Sequence, residues 1–197
     1  MPAIPHFIGR DAQLKRIEQH FEQTSESNKR RRVVVIHGLG GIGKTQLAIE
    51  YVRRHEQDYS AVLWLNGSSR DRLLQAFLDV AHRIPADQLR ADVVATLDDA
   101  AVDKETVIED VKRWLSLPGN CGWLLILDNV DLEYRGLGKD MQGFDPREAI
   151  PEADHGSILV TSRLSNMSIG EKIQLGNLGE EDAREVLVQQ AGRFLEG

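Results

Sequence analysis

The stretch VVVIHGLGGIGKTQLA, Val33 to Ala48, decides the fold. Four β-branched residues, Val33 to Ile36, run into a loop holding Gly38, Gly40, Gly41 and Gly43. An amphipathic pattern follows, with Leu47, Ala48, Tyr51 and Val52 on one face. The first part reads as a strand buried on both faces and the last as a helix. Glycine costs backbone entropy wherever the chain must be ordered, so such a cluster needs a reason. Gly38 to Thr45 fits G-x-x-x-x-G-K-[ST], with the preceding strand and following helix that this pattern requires. Successive backbone N–H groups curl around a phosphate only where no Cβ intrudes, and the helix behind them points its positive end at the same anion. In this reading Gly38, Leu39, Gly40, Gly41, Ile42, Gly43, Lys44, Thr45 and Gln46 line the phosphates. Lys44 reaches the β- and γ-phosphates, and the Thr45 hydroxyl ligates Mg²⁺.

A P-loop site needs an acidic residue to hold the magnesium. WLLILD, Trp123 to Asp128, supplies one at the end of an apolar run. In open α/β sheets ligands sit at the carboxyl ends of the strands. GSILVTSR, Gly156 to Arg163, is a further buried run ending in polar residues, and it delivers Arg163 to the same edge. A guanidinium there senses or stabilises the charge of a γ-phosphate. Lys44, Asp128 and Arg163 are therefore the candidate catalytic residues, and Thr45 and Asp128 the metal ligands.

Further out, AVLWL (Ala61–Leu65) reads as another strand and KIQL (Lys172–Leu175) as an alternating one nearer an edge. Helical spacing marks Asp11 to about Thr24, a segment with Leu73, Leu74, Phe77, Leu78 and Ala81, Lys104 to Leu117, and a last helix from about Gly179. That last helix carries a stripe of Ala183, Val186, Leu187, Ala191 and Phe194. Strand–helix alternation predicts an α/β fold: a P-loop NTPase three-layer sandwich with a central, mostly parallel five-stranded sheet and helices on both faces. Asp131 to His155 reads as an irregular connection with one helical turn, and Trp64, Trp114 and Trp123 as core. KRRR (Lys29–Arg32) reads as a solvated lead-in to a strand.

Composition narrows the class. Of 197 residues, 41% are hydrophobic and 28% charged, which is ordinary for a globular domain. The net charge of −7 argues against a general nucleic-acid binder. One cysteine, Cys121, allows no internal disulfide and has no basic neighbour to activate it. No apolar run approaches the roughly 20 residues of a membrane span, and no secretory signal opens the chain. A cytoplasmic domain is the expectation.

HGLGGIGKTQLA, WLLILDNVD and GSILVTSR, in this order, resemble the NB-ARC domain of STAND-class P-loop NTPases. That family includes plant resistance proteins, apoptosome scaffolds and fungal NLR-like receptors, and the last resemble this chain most. FIGRDAQLKRI (Phe7–Ile17) is similar to the family's N-terminal signature, which implies that Phe7, Ile8, Gly9 and Arg10 line the adenine. IQLGNLGEEDAREVL is similar to the segment leading into the family's helical (ARC) domain. The resemblance implies three parts: an N-terminal segment and helix over 1–24, a P-loop core over 25–177, and the start of the helical segment over 178–197. It also implies ATP or ADP with Mg²⁺ as ligands, and a nucleotide-controlled switch whose full-length protein self-oligomerises. ARC, winged-helix and in some members TPR domains complete the family's longer chains. Their motifs do not occur before Gly197, so the chain is expected to be a nucleotide-binding subdomain of a longer protein.

The sequence departs from the family at one telling position. Asn129 stands where members often carry a second acidic residue that orients the attacking water. Asparagine takes no proton, so hydrolysis is expected to be slow or absent. Asp131 is a weak substitute. The alternative is an active ATPase or a small-molecule kinase of the P-loop class. A GTPase would carry an N-K-x-D-type guanine reader, and none occurs.

Overall fold

The computed structural model describes residues 7–22, 30–99, 102–131 and 145–195. Five strands form one sheet: β1 (Arg32–His37), β2 (Ala61–Asn66), β3 (Trp123–Asp128), β4 (Ser157–Ser162) and β5 (Glu171–Gln174). Their order is β2-β3-β4-β1-β5, and every registered pair is parallel. The alternating KIQL run lies at an edge of the sheet, as its pattern predicts.

The described residues form six helices: α1 (Asp11–Glu22), α2 (Lys44–His55), α3 (Arg70–Ala81), α4 (Ala91–Thr96), α5 (Lys104–Leu115) and α6 (Glu180–Leu195). Successive side chains of a strand point to opposite faces, and the apolar runs divide accordingly. Val34, Ile36, Leu124, Ile126 and Leu159 pack with Leu14 and Ile17 of α1 and Leu47, Ala48 and Tyr51 of α2. Val35, Leu125, Leu127, Ile158 and Val160 pack with Leu73 and Phe77 of α3 and Val107, Val111 and Leu115 of α5. The result is three layers, helix–sheet–helix. Every residue of β3 is buried, which is why its run reads as continuous rather than alternating.

Local chemistry sets the element ends. Ser69 caps α3 by accepting from the Arg72 N–H. A 3₁₀ turn, Pro146–Ala149, is capped by Asp145 and lies in the connection where one helical turn is predicted; residues 132–144 of that connection lie outside the described ones.

On four points the structure adds to these readings or corrects them. Residues 82–99 form a 3₁₀ turn (Ala86–Gln88) and α4, and they send Ile84, Leu89 and Val93 into the core. No periodicity announces elements this short. Of the three tryptophans, Trp123 is fully buried, whereas Trp64 and Trp114 are half-buried and pack against the core. The basic lead-in is not simply solvated: Arg31 donates to the carbonyls of Pro151 and Ala153, and Arg32 to that of His20. Of the α6 stripe, Ala183 and Val186 are half-buried and Leu187 is exposed, and the side chains of Ala191 and Phe194 lie outside the described ones.

Candidate nucleotide site

Parallel strands in register end together, and three of these ends matter. His37 closes β1 opposite Ser162 of β4, and Asp128 closes β3 one step beyond the Leu127–Val160 pair. The glycine loop leaves β1 at this edge. Gly38 is bonded to β4 by its N–H (to the Ser162 carbonyl, 3.3 Å), and a Cβ there would stand 2.5 Å from the Leu175 carbonyl oxygen. Only glycine fits that approach. Gly43 caps α2 at φ +100, a conformation L side chains resist. The first turn of α2 has neither a capping side chain nor an acidic residue. Its N–H groups have no partner within the helix itself.

Lys44 is buried, and its Nζ donates to the carbonyls of Gly38 (3.0 Å) and Leu39 (2.9 Å). Burial pushes its ammonium below the ordinary lysine range. Asp131 and Asp128 oppose that shift, and Arg163 reinforces it. Thr45 Oγ1 donates to Asp128 Oδ1 (2.8 Å). Thr161 Oγ1 donates to the same oxygen (2.6 Å), and Asn129 Nδ2 to Oδ2 (3.2 Å). The structure therefore brings the loop and the β3 aspartate together. Leu39 is exposed at the loop's crest, Ile42 packs on the α1/α2 side, and Gln46 is half-buried in the first turn of α2. Nothing lies within 4 Å of a Cβ built on Gly41.

Arg163 also reaches this edge. Its guanidinium lies beside Gly40, where a Cβ would meet Cζ at 3.2 Å. The Gly40 backbone does not require glycine, and a side chain there would press on the flexible end of the arginine.

The stretch Phe7–Arg10 runs past the other end of the loop. Arg10 Nη2 donates to the carbonyls of Gly176 (2.8 Å) and Ile42 (3.4 Å), and Phe7 packs on the α1/α2 core. Ile8 is half-buried. Gly9, at φ +70, passes so close to α6 that a Cβ would meet Asp182.

Sequence reasoning did not single out Thr161, whose hydroxyl shares Asp128. The signal was present as a hydroxyl residue ending an otherwise apolar run. His37, beside the loop, is held below the ordinary histidine range by burial and by Lys172.

The donor set suits magnesium. Asp128 and Thr45 offer hard oxygens, and Mg²⁺ is commonly held by one or two carboxylates together with substrate phosphates. Among the described residues no cluster of three or more His, Cys, Asp or Glu forms a dedicated metal cage. No described helix is long and apolar enough to cross a membrane.

Comparison with known proteins agrees with this geometry. A family model described as an AAA ATPase domain matches residues 6–164. A nucleotide-binding leucine-rich repeat (NLR)-like protein of Hyaloscypha variabilis is 26% identical in an alignment 170 positions long that covers 80% of this chain and 16% of that protein. The fold is similar to Cdc6p of Pyrobaculum aerophilum (TM-score 0.59, 11% identity, 96% of this chain and 52% of that one). It is also similar to the ORC2 protein of Aeropyrum pernix, solved as ADPNP–ADP complexes (TM-score 0.54, 13% identity, 97% and 54%). The chain thus spans about a sixth of the relative and about half of each solved structure.

Proposed function

Because this chain belongs to the AAA ATPase domain family, we propose that it is an adenine-nucleotide switch module, binding ADP or ATP with Mg²⁺ and hydrolysing slowly or not at all. The observation that carries this reading is the contact of Thr45 with Asp128 beside Lys44, at the uncapped start of α2. Each of these residues has a part. The loop amides and Lys44 hold phosphate oxygens. The Lys44 ammonium now rests on loop carbonyls and exchanges them for stronger charge-assisted bonds. Thr45 and Asp128 hold the magnesium. When bound, that ion supplies charge neutralisation at the phosphates. Arg163 faces the γ-phosphate end, and Phe7, Ile8, Gly9 and Arg10 flank the base.

Slow turnover is supported by Asn129. Its amide donates to Asp128 and has no basic atom to take a proton from water. A second reading, an active ATPase, is favoured by the family's description.

The NB-ARC resemblance and the NLR-like relative support the finer reading. On it, residues 1–24 bear the adenine signature, 25–177 form the nucleotide core, and 178–197 begin a helical ARC segment. The γ-phosphate then biases a two-state arrangement of a longer cytoplasmic protein that self-oligomerises through ARC, winged-helix or TPR parts. Neither nucleic acid nor membrane enters this function.

Calorimetric titration with ATP, ADP and GTP, with and without Mg²⁺, tests the ligand. Adenine nucleotides are expected to bind more tightly than GTP, and the reverse order overturns the base assignment. Steady-state turnover decides between the readings. A rate well below roughly 1 s⁻¹ fits the switch, and a rate in the ordinary enzyme range favours the second reading.

A further inference from the structure

One carboxylate pairs with the arginine at the γ-phosphate end of the loop. Asp131 Oδ1 accepts from the Arg163 backbone N–H (2.7 Å), and its Oδ2 pairs with Arg163 Nε (2.9 Å). Asp131 is also the foremost opposing charge felt by Lys44. It is itself held firmly. Its N–H donates to the Asn129 carbonyl (2.9 Å), the Val130 N–H donates to the Thr161 carbonyl (2.9 Å), and the Ser162 hydroxyl donates to the Val130 carbonyl. The ends of β3 and β4 are thus tied together, with Asp131 fixed at the junction.

The arginine is held less firmly. Its side chain is 65% exposed, against 22% for Asp131. An exposed ion pair contributes up to about 1 kcal/mol, whereas a guanidinium–phosphate contact is charge-assisted and bidentate. The pair is therefore easily exchanged for a phosphate.

We propose that Asp131 sets the preference of this site between nucleoside triphosphate and diphosphate, by occupying Arg163 until a γ-phosphate takes its place. The proposal rests on the nucleotide-binding reading. A diphosphate leaves the Asp131–Arg163 pair intact. A triphosphate draws the guanidinium away and must break the pair to do so, so Asp131 weakens triphosphate binding selectively through Arg163.

The test is calorimetry with ADP and with a non-hydrolysable ATP analogue, both with Mg²⁺, on the wild-type chain, Asp131→Asn, Arg163→Ala and the double variant. The Asn side chain still accepts the Arg163 backbone N–H but no longer holds the charge. Asp131→Asn is expected to raise the analogue-to-ADP affinity ratio about two- to fivefold, the range that up to about 1 kcal/mol allows. Arg163→Ala is expected to lower that ratio, and in its background Asp131→Asn is expected to leave the ratio unchanged. A ratio that does not rise in Asp131→Asn, or that rises equally without Arg163, overturns the proposal while the nucleotide reading stands. Wild-type protein that binds neither nucleotide overturns both. Asp131→Glu keeps a carboxylate within reach and is expected to stay near the wild-type ratio. A rise of about two- to fivefold in Asp131→Glu also overturns the proposal, and this arm stands if Asp131→Asn fails to fold.

Discussion

Buried charges are handled in opposite ways on the helical flanks and at the carboxyl edge of the sheet. On the flanks they are paired. Asp110 of α5 has no exposed side-chain surface; it accepts from Arg113 Nε (2.5 Å) and the Arg90 N–H (2.8 Å). Glu50 of α2, 4% exposed, is clasped by Arg53 and Arg54, and the Arg53 hydrogen bonds hold its carboxyl below the usual range. At the sheet edge the partners are neutral. Among the described residues, Asp128 is hydrogen-bonded to two hydroxyls and an amide, and Lys44 to two carbonyls. A buried charge without an opposite partner is costly. The flanks spend their charges on holding the fold together. The site keeps a cation and an anion apart from one another, so that a phosphate and a metal ion can complete them.

The largest test of this contrast is Lys44→Ala. It removes the main cationic ligand of the phosphates, and charge-assisted hydrogen bonds contribute about 1.5–3 kcal/mol each. Calorimetry is expected to show at least about a 100-fold loss of ADP and ATP affinity. A loss of only a few fold would mean that the loop amides hold the phosphates without the lysine.

Two matched substitutions sharpen the comparison, because the same chemical change should act with opposite signs. Asp110→Asn places an amide N–H₂ or a lone uncharged oxygen against Arg113, and is expected to cost roughly 1.5–3 kcal/mol in urea unfolding. Asp128→Asn removes a buried charge from neutral partners whose hydroxyls can reorient. In EDTA its stability is expected to stay within about 1 kcal/mol of wild type, on the stabilising side. The same variant is expected to lose the Mg²⁺ dependence of ATP affinity. If both substitutions destabilise alike, the contrast between flank and site is wrong.

What the sequence makes legible follows the same division. The strands show because β3 and β4 are buried on both faces and their runs are unbroken. The loop shows because its glycines, Lys44 and Thr45 sit in one short window. The Asp128 contact was readable once the loop was in view: a residue ending a buried run arrives at the ligand edge. Partnerships between distant segments were not readable. Asp110 finds the Arg90 N–H 20 positions away, across a segment whose 3₁₀ turn and six-residue helix are too short to show a period. The α6 stripe shows a different limit. Spacing reports which residues share a face, not whether another element covers it, and Leu187 remains exposed.

The smallest expected effect lies at the exposed end of the paired flank. His82 follows α3, with Nδ1 2.8 Å from the Leu78 carbonyl oxygen and Nε2 3.0 Å from Asp98 Oδ1. Both partners are acceptors, so the ring satisfies both only as the doubly protonated imidazolium. The Leu78 hydrogen bond first, and then Asp98, raise its pKa above the ordinary 6.5. A raised folded-state pKa contributes stability that is fully present below the unfolded value and is lost as pH rises through the folded one. Stability is therefore expected to decline slightly on the alkaline side of 6.5, and His82→Gln is expected to remove that component of the decline. NMR titration of the ring checks the premise directly. A midpoint at or below 6.5 would mean that the Asp98 contact does not hold the charge, and that pairing on this flank is confined to its buried carboxylates.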